Sequence, residues 1–131
     1  MSAVVIDSSA FIAILNQEPE ANGFSLAIRA HQYRSMAAAT YLECAIVMSR
    51  WRVGRAELDD WLLRESIVVV PVDHVLAQIA ADAFARYGKG RHRAGLNFGD
   101  CFAYALARSL NAPLLFKGDD FPRTDVMRAV A

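Results

Sequence analysis

The sequence predicts an α/β fold, a three-layer α/β/α sandwich around a mostly parallel central sheet. Short β-branched runs, Val4-Val5-Ile6 and Ile67-Val68-Val69-Val70, are apolar at every position, as buried parallel strands are. Helical stretches lie between and after them, so helices and strands alternate along the whole chain. With 131 residues and 55% hydrophobic content, the chain can bury a core without staples and is read as a single domain over 1–131.

Taken in order, Val4–Ile6 is the first strand. Asp7-Ser8-Ser9 then offers side-chain caps to a helix over Ala10–Asn16. Gln17-Glu18-Pro19-Glu20 breaks that helix and leads into a second with Phe24, Ala27 and Ile28 on one face; Ser35–Ala38 is a short strand. Thr40–Arg52 reads as helical, Val53-Gly54 ends it, and Ala56–Arg64 forms another amphipathic helix. Ile67–Val70 is the clearest strand and closes at Pro71. A helix over Val75–Tyr87 stops at Gly88. Gly88–Gly99 is a long polar loop, Asp100–Leu110 a helix, and Leu114–Phe116 a last strand after the breaker Asn111-Ala112-Pro113.

Charge narrows the function classes. The 14 Lys+Arg balance the 14 Asp+Glu, so any nucleic-acid contact must come from a local patch rather than from the whole-molecule field. All bases but Lys89 and Lys117 are Arg, whose fork matches phosphate oxygens, although a GC-rich genome gives the same bias. Cys44 and Cys101 make neither a metal spacing nor a disulfide framework, which points to a reducing cytoplasm. No signal segment is apparent, and no apolar run reaches the roughly 20 residues of a membrane span; a soluble, unexported protein is expected.

The chemistry is expected from acids. Asp7, Glu43, Asp100 and the pair Asp119-Asp120 each stand beside an apolar segment, at a strand end or in a first helical turn. In an α/β domain those positions converge on the crevice where ligands bind. Each has a structural alternative: Asp7 and Asp100 as caps, Glu43 as the acid of a Thr40–Glu43 capping box, Asp119-Asp120 as a plain turn. Together, without a His or Cys cluster, they suit a hard cation, Mg²⁺ or Mn²⁺, and such a site suits phosphodiester hydrolysis.

Val5-Ile6-Asp7-Ser8-Ser9-Ala10, Tyr41-Leu42-Glu43, Leu96-Asn97-Phe98-Gly99-Asp100-Cys101 and Leu114-Leu115-Phe116-Lys117-Gly118-Asp119-Asp120-Phe121 resemble a PIN-domain ribonuclease of the VapC toxin type over nearly the whole chain. The resemblance implies an Mg²⁺-dependent endoribonuclease, the toxin of a toxin–antitoxin pair, neutralised by a VapB-like antitoxin, with a homodimer or a hetero-oligomer with the antitoxin as its assembly. It implies Asp7, Glu43 and Asp100 as the acidic core. Its Gly-x-Asp-Phe turn selects Asp120, with Asp119 the alternative, and Ser9 becomes a supporting hydroxyl. Asp7 and Asp100 are then the direct ligands, with Glu43 and Asp120 holding waters or a second ion, and crowding should raise at least one of the carboxyl pKa values.

Arg86, Lys89, Arg91, Arg93 and His92 run towards Asp100 with no acid among them, and Lys117 precedes the last acidic pair; phosphate contacts or a solvated loop are both open readings. Tyr87 and Phe98 flank that loop, in place to stack bases or to pack the rim. His31 and His74 read as surface residues, Cys44 and Cys101 as core. Trp51 and Trp61 suit the core, a dimer face or an antitoxin groove. A receiver-type signalling domain is the rival reading, with Asp73 as phospho-acceptor and Lys117 as its partner, but it lacks the adjacent acid after Asp7. An inert PIN-like binding module is the third, against which the intact acid set stands.

Overall fold

The computed structural model describes residues 2–130. Among the described residues, β1 (Ala3–Ile6), β2 (Tyr33–Ala37), β3 (Ile67–Val70) and β4 (Leu114–Leu115) form one sheet in the order β3-β2-β1-β4, each neighbouring pair parallel. Around it stand α1 (Ser8–Leu15), α2 (Ala21–Arg29), α3 (Ala38–Met48), α4 (Gly54–Arg64), α5 (His74–Tyr87) and α6 (Phe98–Leu110), followed by a 3-10 turn at Phe121–Arg123.

Alternation along the central strand explains the three layers. Val5 packs with Leu114, Leu76, Ala80 and Leu106 on the α5–α6 face. Val4 and Ile6, pointing the other way, pack with Leu115, Phe11, Ile28 and Leu58 on the face covered by α1 to α4. Covering both faces is what requires β1 to be apolar throughout, and each such buried side chain contributes roughly 1.5–3 kcal/mol.

Several boundaries differ from the sequence reading, and one difference matters for function. β2 runs directly into α3, with Ala37 as an N-cap that offers no side-chain bond. Thr40 is therefore inside the helix with its hydroxyl buried and unpartnered, and Glu43 stands in the second turn. The capping box over Thr40–Glu43 does not form, and the Glu43 carboxyl turns instead to Ser8 at the start of α1. α3 ends at Met48 rather than Arg52, because the chain turns there and Gly54 packs on the Met48 carbonyl; a Cβ at Gly54 would lie 1.9 Å from that oxygen. α1 begins at Ser8 rather than Ala10, β2 at Tyr33 rather than Ser35, and α6 at Phe98 rather than Asp100.

At the N-terminal ends of the strands, Glu65 follows α4 and is 7% exposed. Arg29, at the end of α2, donates to both its oxygens at 3.0 Å, and Arg34 of β2 donates to the Glu65 carbonyl at 2.7 Å. Two arginines thus fasten α2, α4 and β2 together at the end of the sheet opposite Asp7.

Candidate active site

Asp7 leaves β1 and caps α1. Its Oδ2 accepts from the Ser9 N–H at 3.0 Å and from the Ser9 Oγ at 2.6 Å, while its own N–H donates to the Leu115 carbonyl at 3.0 Å. Those bonds fix one carboxylate oxygen. The other, Oδ1, is buried without a hydrogen-bond partner in a residue only 3% exposed. Burial raises the Asp7 pKa against the opposing Ser9 bonds. An orphaned oxygen of this kind is costly in a structural role and ordinary in a ligand-binding one.

Glu43 approaches from α3. Its pKa is pushed up to about 7, first by burial and then by the negative charges of Asp7 and Asp100. Its Oε1 is also buried without a partner. The carboxylate lies against the first turn of α6 because residue 99 has no side chain: a Cβ there would stand 2.1 Å from Glu43 Oε2. Gly99 is therefore part of the site's construction.

Asp100 is held by a reciprocal cap. Its N–H donates to Asn97 Oδ1 at 2.9 Å, and the Asn97 N–H donates to Asp100 Oδ2 at 3.0 Å. Its pKa rises to about 6, mainly through burial, with Asp7 and Asp120 adding negative charge and the Asn97 bond opposing. The capping bonds use Oδ2 and the backbone N–H of Asp100, so the cap and site readings of this residue are compatible. Asp120 is on the Asp100 side of its turn, whereas Asp119 lines the neighbouring hollow with Glu20, Lys117 and Arg128.

The acids face one volume without closing on a point. Among the described residues, no three Asp, Glu, His or Cys side chains stand close enough to ligate a single ion as they are. That geometry matches a cation that keeps several of its waters and takes only one or two carboxylates directly. Two buried unpartnered oxygens, an all-carboxylate donor set and mutually raised proton affinities are the chemistry of a hard divalent cation.

Of the bases, Lys89, Arg91 and Arg93 are exposed on the loop before α6, with the Arg91 guanidinium over the Phe84 ring at 5.7 Å. Arg86 is drawn away: it pairs with Asp125 at 3.5 Å, beside Arg108 in the last turn of α6, roughly 12 Å of helix rise from Asp100. Lys117 is also occupied, its ammonium bound to Glu18 and, at 3.3 Å, to Glu20. Tyr87 is buried between Tyr104 and His92 and cannot stack a base, whereas Phe98 is 78% exposed and touches Phe102 edge-on at 4.9 Å. Cys44 and Cys101 are buried, as expected. Trp61 packs on Phe11, and Trp51 is exposed beneath Arg50.

The receiver reading does not fit the structure. Asp73 accepts from the Leu76 N–H at 2.8 Å as the cap of α5, and Lys117 is bound to Glu18 and Glu20. Asn97 and Gly99 stand in the sequence motif around Asp100 but receive no role from sequence reasoning; the Asn-x-x-Asp spacing at 97–100 is the available capping signal.

Comparison with known proteins gives the family and the fold. The PIN domain family model matches residues 4–127. A ribonuclease VapC of Mycolicibacterium smegmatis is 54% identical over 125 residues, covering 94% of this chain and 97% of the relative. Ribonuclease VapC30 of Mycobacterium tuberculosis is 49% identical, with 94% and 95% covered. Among solved structures, the Mycobacterium tuberculosis VapC20, described as a sarcin-ricin loop cleaving toxin, superposes with a TM-score of 0.71 at 18% identity over 95% of this chain and 96% of that one. VapBC2 from Rickettsia felis, bound to a promoter DNA fragment, gives 0.73 at 12% identity, with 96% of each chain covered. Those two likenesses are of fold. No helix among the described residues is long and apolar enough to cross a membrane. By sequence and by fold, the chain belongs to the PIN-domain family and, within it, to the VapC ribonucleases.

Proposed function

We propose that this chain is the endoribonuclease toxin of a toxin–antitoxin pair, hydrolysing RNA phosphodiester bonds at the Asp7–Glu43–Asp100–Asp120 site with Mg²⁺, and that a VapB-like antitoxin neutralises it. The observation that carries the reading is the convergence of Asp7, Glu43 and Asp100 at the C-terminal end of β1. There, among the described residues, none of the three has a cationic partner, and the other two charges raise the Glu43 pKa. The names of the relatives support the RNA substrate, and the toxin–antitoxin complexes among the structural neighbours support the antitoxin partner. We read residues 1–131 as one PIN domain.

Asp7 and Asp100 would hold the cation directly, with Glu43 and Asp120 on its waters. A divalent cation there supplies Lewis-acid polarisation of water and offsets charge building on the phosphate, so no His base is needed. The protein's own part is positioning. Ser9 holds Oδ2 of Asp7, which leaves Oδ1 without a partner, and Asn97 orients Asp100 through the shared cap. Burial and the charges of Asp7 and Asp100 raise the proton affinity of Glu43, and a cation held beside it would lower that affinity again. Lys89, Arg91 and Arg93 are exposed to meet RNA phosphates on the approach to Asp100.

Asp100→Asn tests the assignment, because it keeps the shape and much of the cap while removing the charge. Cleavage of total RNA in Mg²⁺ or Mn²⁺ should fall at least about 100-fold, with the far-ultraviolet circular dichroism unchanged. Cleavage retained by a clean preparation of the variant would sink the reading. Sequencing RNA 5′ ends after brief expression would identify the substrate.

A further inference from the structure

The turn that carries Asp120 spans two buried rings. Phe116 and Phe121 are 1% and 4% exposed and pack on each other at 5.1 Å, whereas Lys117, Gly118, Asp119 and Asp120 between them are exposed. Lys117 ties this span to the rest of the protein twice. Its backbone N–H donates to Ser9 Oγ at 3.0 Å, the same hydroxyl that donates to Asp7 Oδ2 at 2.6 Å. Its ammonium binds Glu18 and Glu20, in the corner between α1 and α2. One residue thus grips both ends of α1 and, through Ser9, touches the first acid of the site. At the next position Gly118 takes φ +123°, a conformation that side-chain-bearing residues rarely adopt, so residue 118 contributes no side chain to restrain the turn.

We propose that Lys117 is a positioning residue: its ion pairs with Glu18 and Glu20 hold the β4 exit turn against α1, setting Ser9 towards Asp7 and Asp120 towards Asp100. The role rests on the metal-site reading above. It assigns Lys117 to the assembly of the cation site rather than to the grip on RNA. Two carboxylates already neutralise its charge, and a partly exposed pair of this kind adds little to global stability, so its effect is local geometry.

The test is Mn²⁺ binding to the full chain, followed by electron paramagnetic resonance, with RNA affinity measured separately in chelator. Lys117→Met should weaken Mn²⁺ on the order of tenfold, as loss of a residue supporting metal ligands does. The Glu18→Gln/Glu20→Gln double variant should weaken it similarly, and Lys117→Arg should restore it, with metal-free RNA affinity unchanged throughout. A simple field effect has the opposite sign for the first variant, since removing a cation beside acids strengthens Mn²⁺ binding. Tighter or unchanged Mn²⁺ binding in Lys117→Met overturns the proposal. So does a loss of RNA affinity whose salt slope falls by about one, the mark of a phosphate contact. If the unaltered protein binds no Mn²⁺, the metal-site reading fails; if it binds and Lys117→Met binds equally, only the positioning role does.

Discussion

The two ends of the sheet treat the same kind of side chain in opposite ways. Glu65, at the N-terminal end, receives both forks of Arg29 and has its pKa lowered. Glu43, at the C-terminal end, has acids for neighbours and a pKa raised to about 7. A fold minimising its own free energy would pair both. One end holds helices to strands through its ion pairs, and the other sets like charges beside one another, the electrostatics that a cation site would have.

The comparison can be broken most directly by neutralising each glutamate in turn. Glu43→Gln should reduce RNA cleavage by at least about tenfold while leaving the melting temperature in chelator at pH 8 unchanged or higher, because a repelled charge is removed. Glu65→Gln should do the reverse. Its loss of charge-assisted bonds to Arg29 should cost about 1–2 kcal/mol, a few degrees in melting temperature, with cleavage per folded molecule unaffected. If both variants lost stability and kept activity, the division of labour between the two ends would be wrong.

Gly99→Ala sharpens the same contrast at one atom. Alanine favours the helix, so α6 should form as well or better, yet its Cβ must displace the Glu43 carboxylate that now lies 2.1 Å from that position. The expected result is unchanged thermal stability with roughly tenfold slower cleavage. Equal activity would mean that Glu43 does not act from its observed place.

Gly99 also shows where sequence reading stops. Strand-acid-helix order made Asp7 legible, and the polar loop ending in Asn97-Phe98-Gly99-Asp100 made α6 and its acid legible within two residues. Glu43 was harder. The Ala37-Ala38-Ala39 run carries no boundary signal between β2 and α3, so Thr40 looked like a cap when it was already inside the helix. Facts that join distant segments left no local trace. Lys117 lies 99 residues from Glu18, and from sequence alone it looked like a free cation beside the acids. Arg86 misled for the same reason, because Asp125 is 39 residues away.

The smallest expected effect is on stability against pH, and it separates the two ends by sign. Glu43 and Asp100 bind protons more tightly folded than unfolded, with values moved from 4.5 to about 7 and from 3.8 to about 6. Their contribution is fully present below the unfolded values and is lost as pH rises through the folded ones. Glu65 and Asp125 are shifted down, so their contribution is present above the unfolded carboxyl range and is lost as pH falls through their folded values. Urea unfolding in chelator should therefore show stability declining from about pH 5 to pH 8, with a separate decline below about pH 4. Saturating Mg²⁺ should remove the first decline, because a cation held by the folded carboxylates favours their charged form, and leave the second, where Arg29 for Glu65, and the Tyr104 hydroxyl with Arg108 for Asp125, already do that work. Glu43→Gln in chelator should flatten only the upper limb, and Glu65→Gln only the lower. A metal-insensitive upper limb would mean that the acids at the end of β1 are crowded for a reason other than a cation.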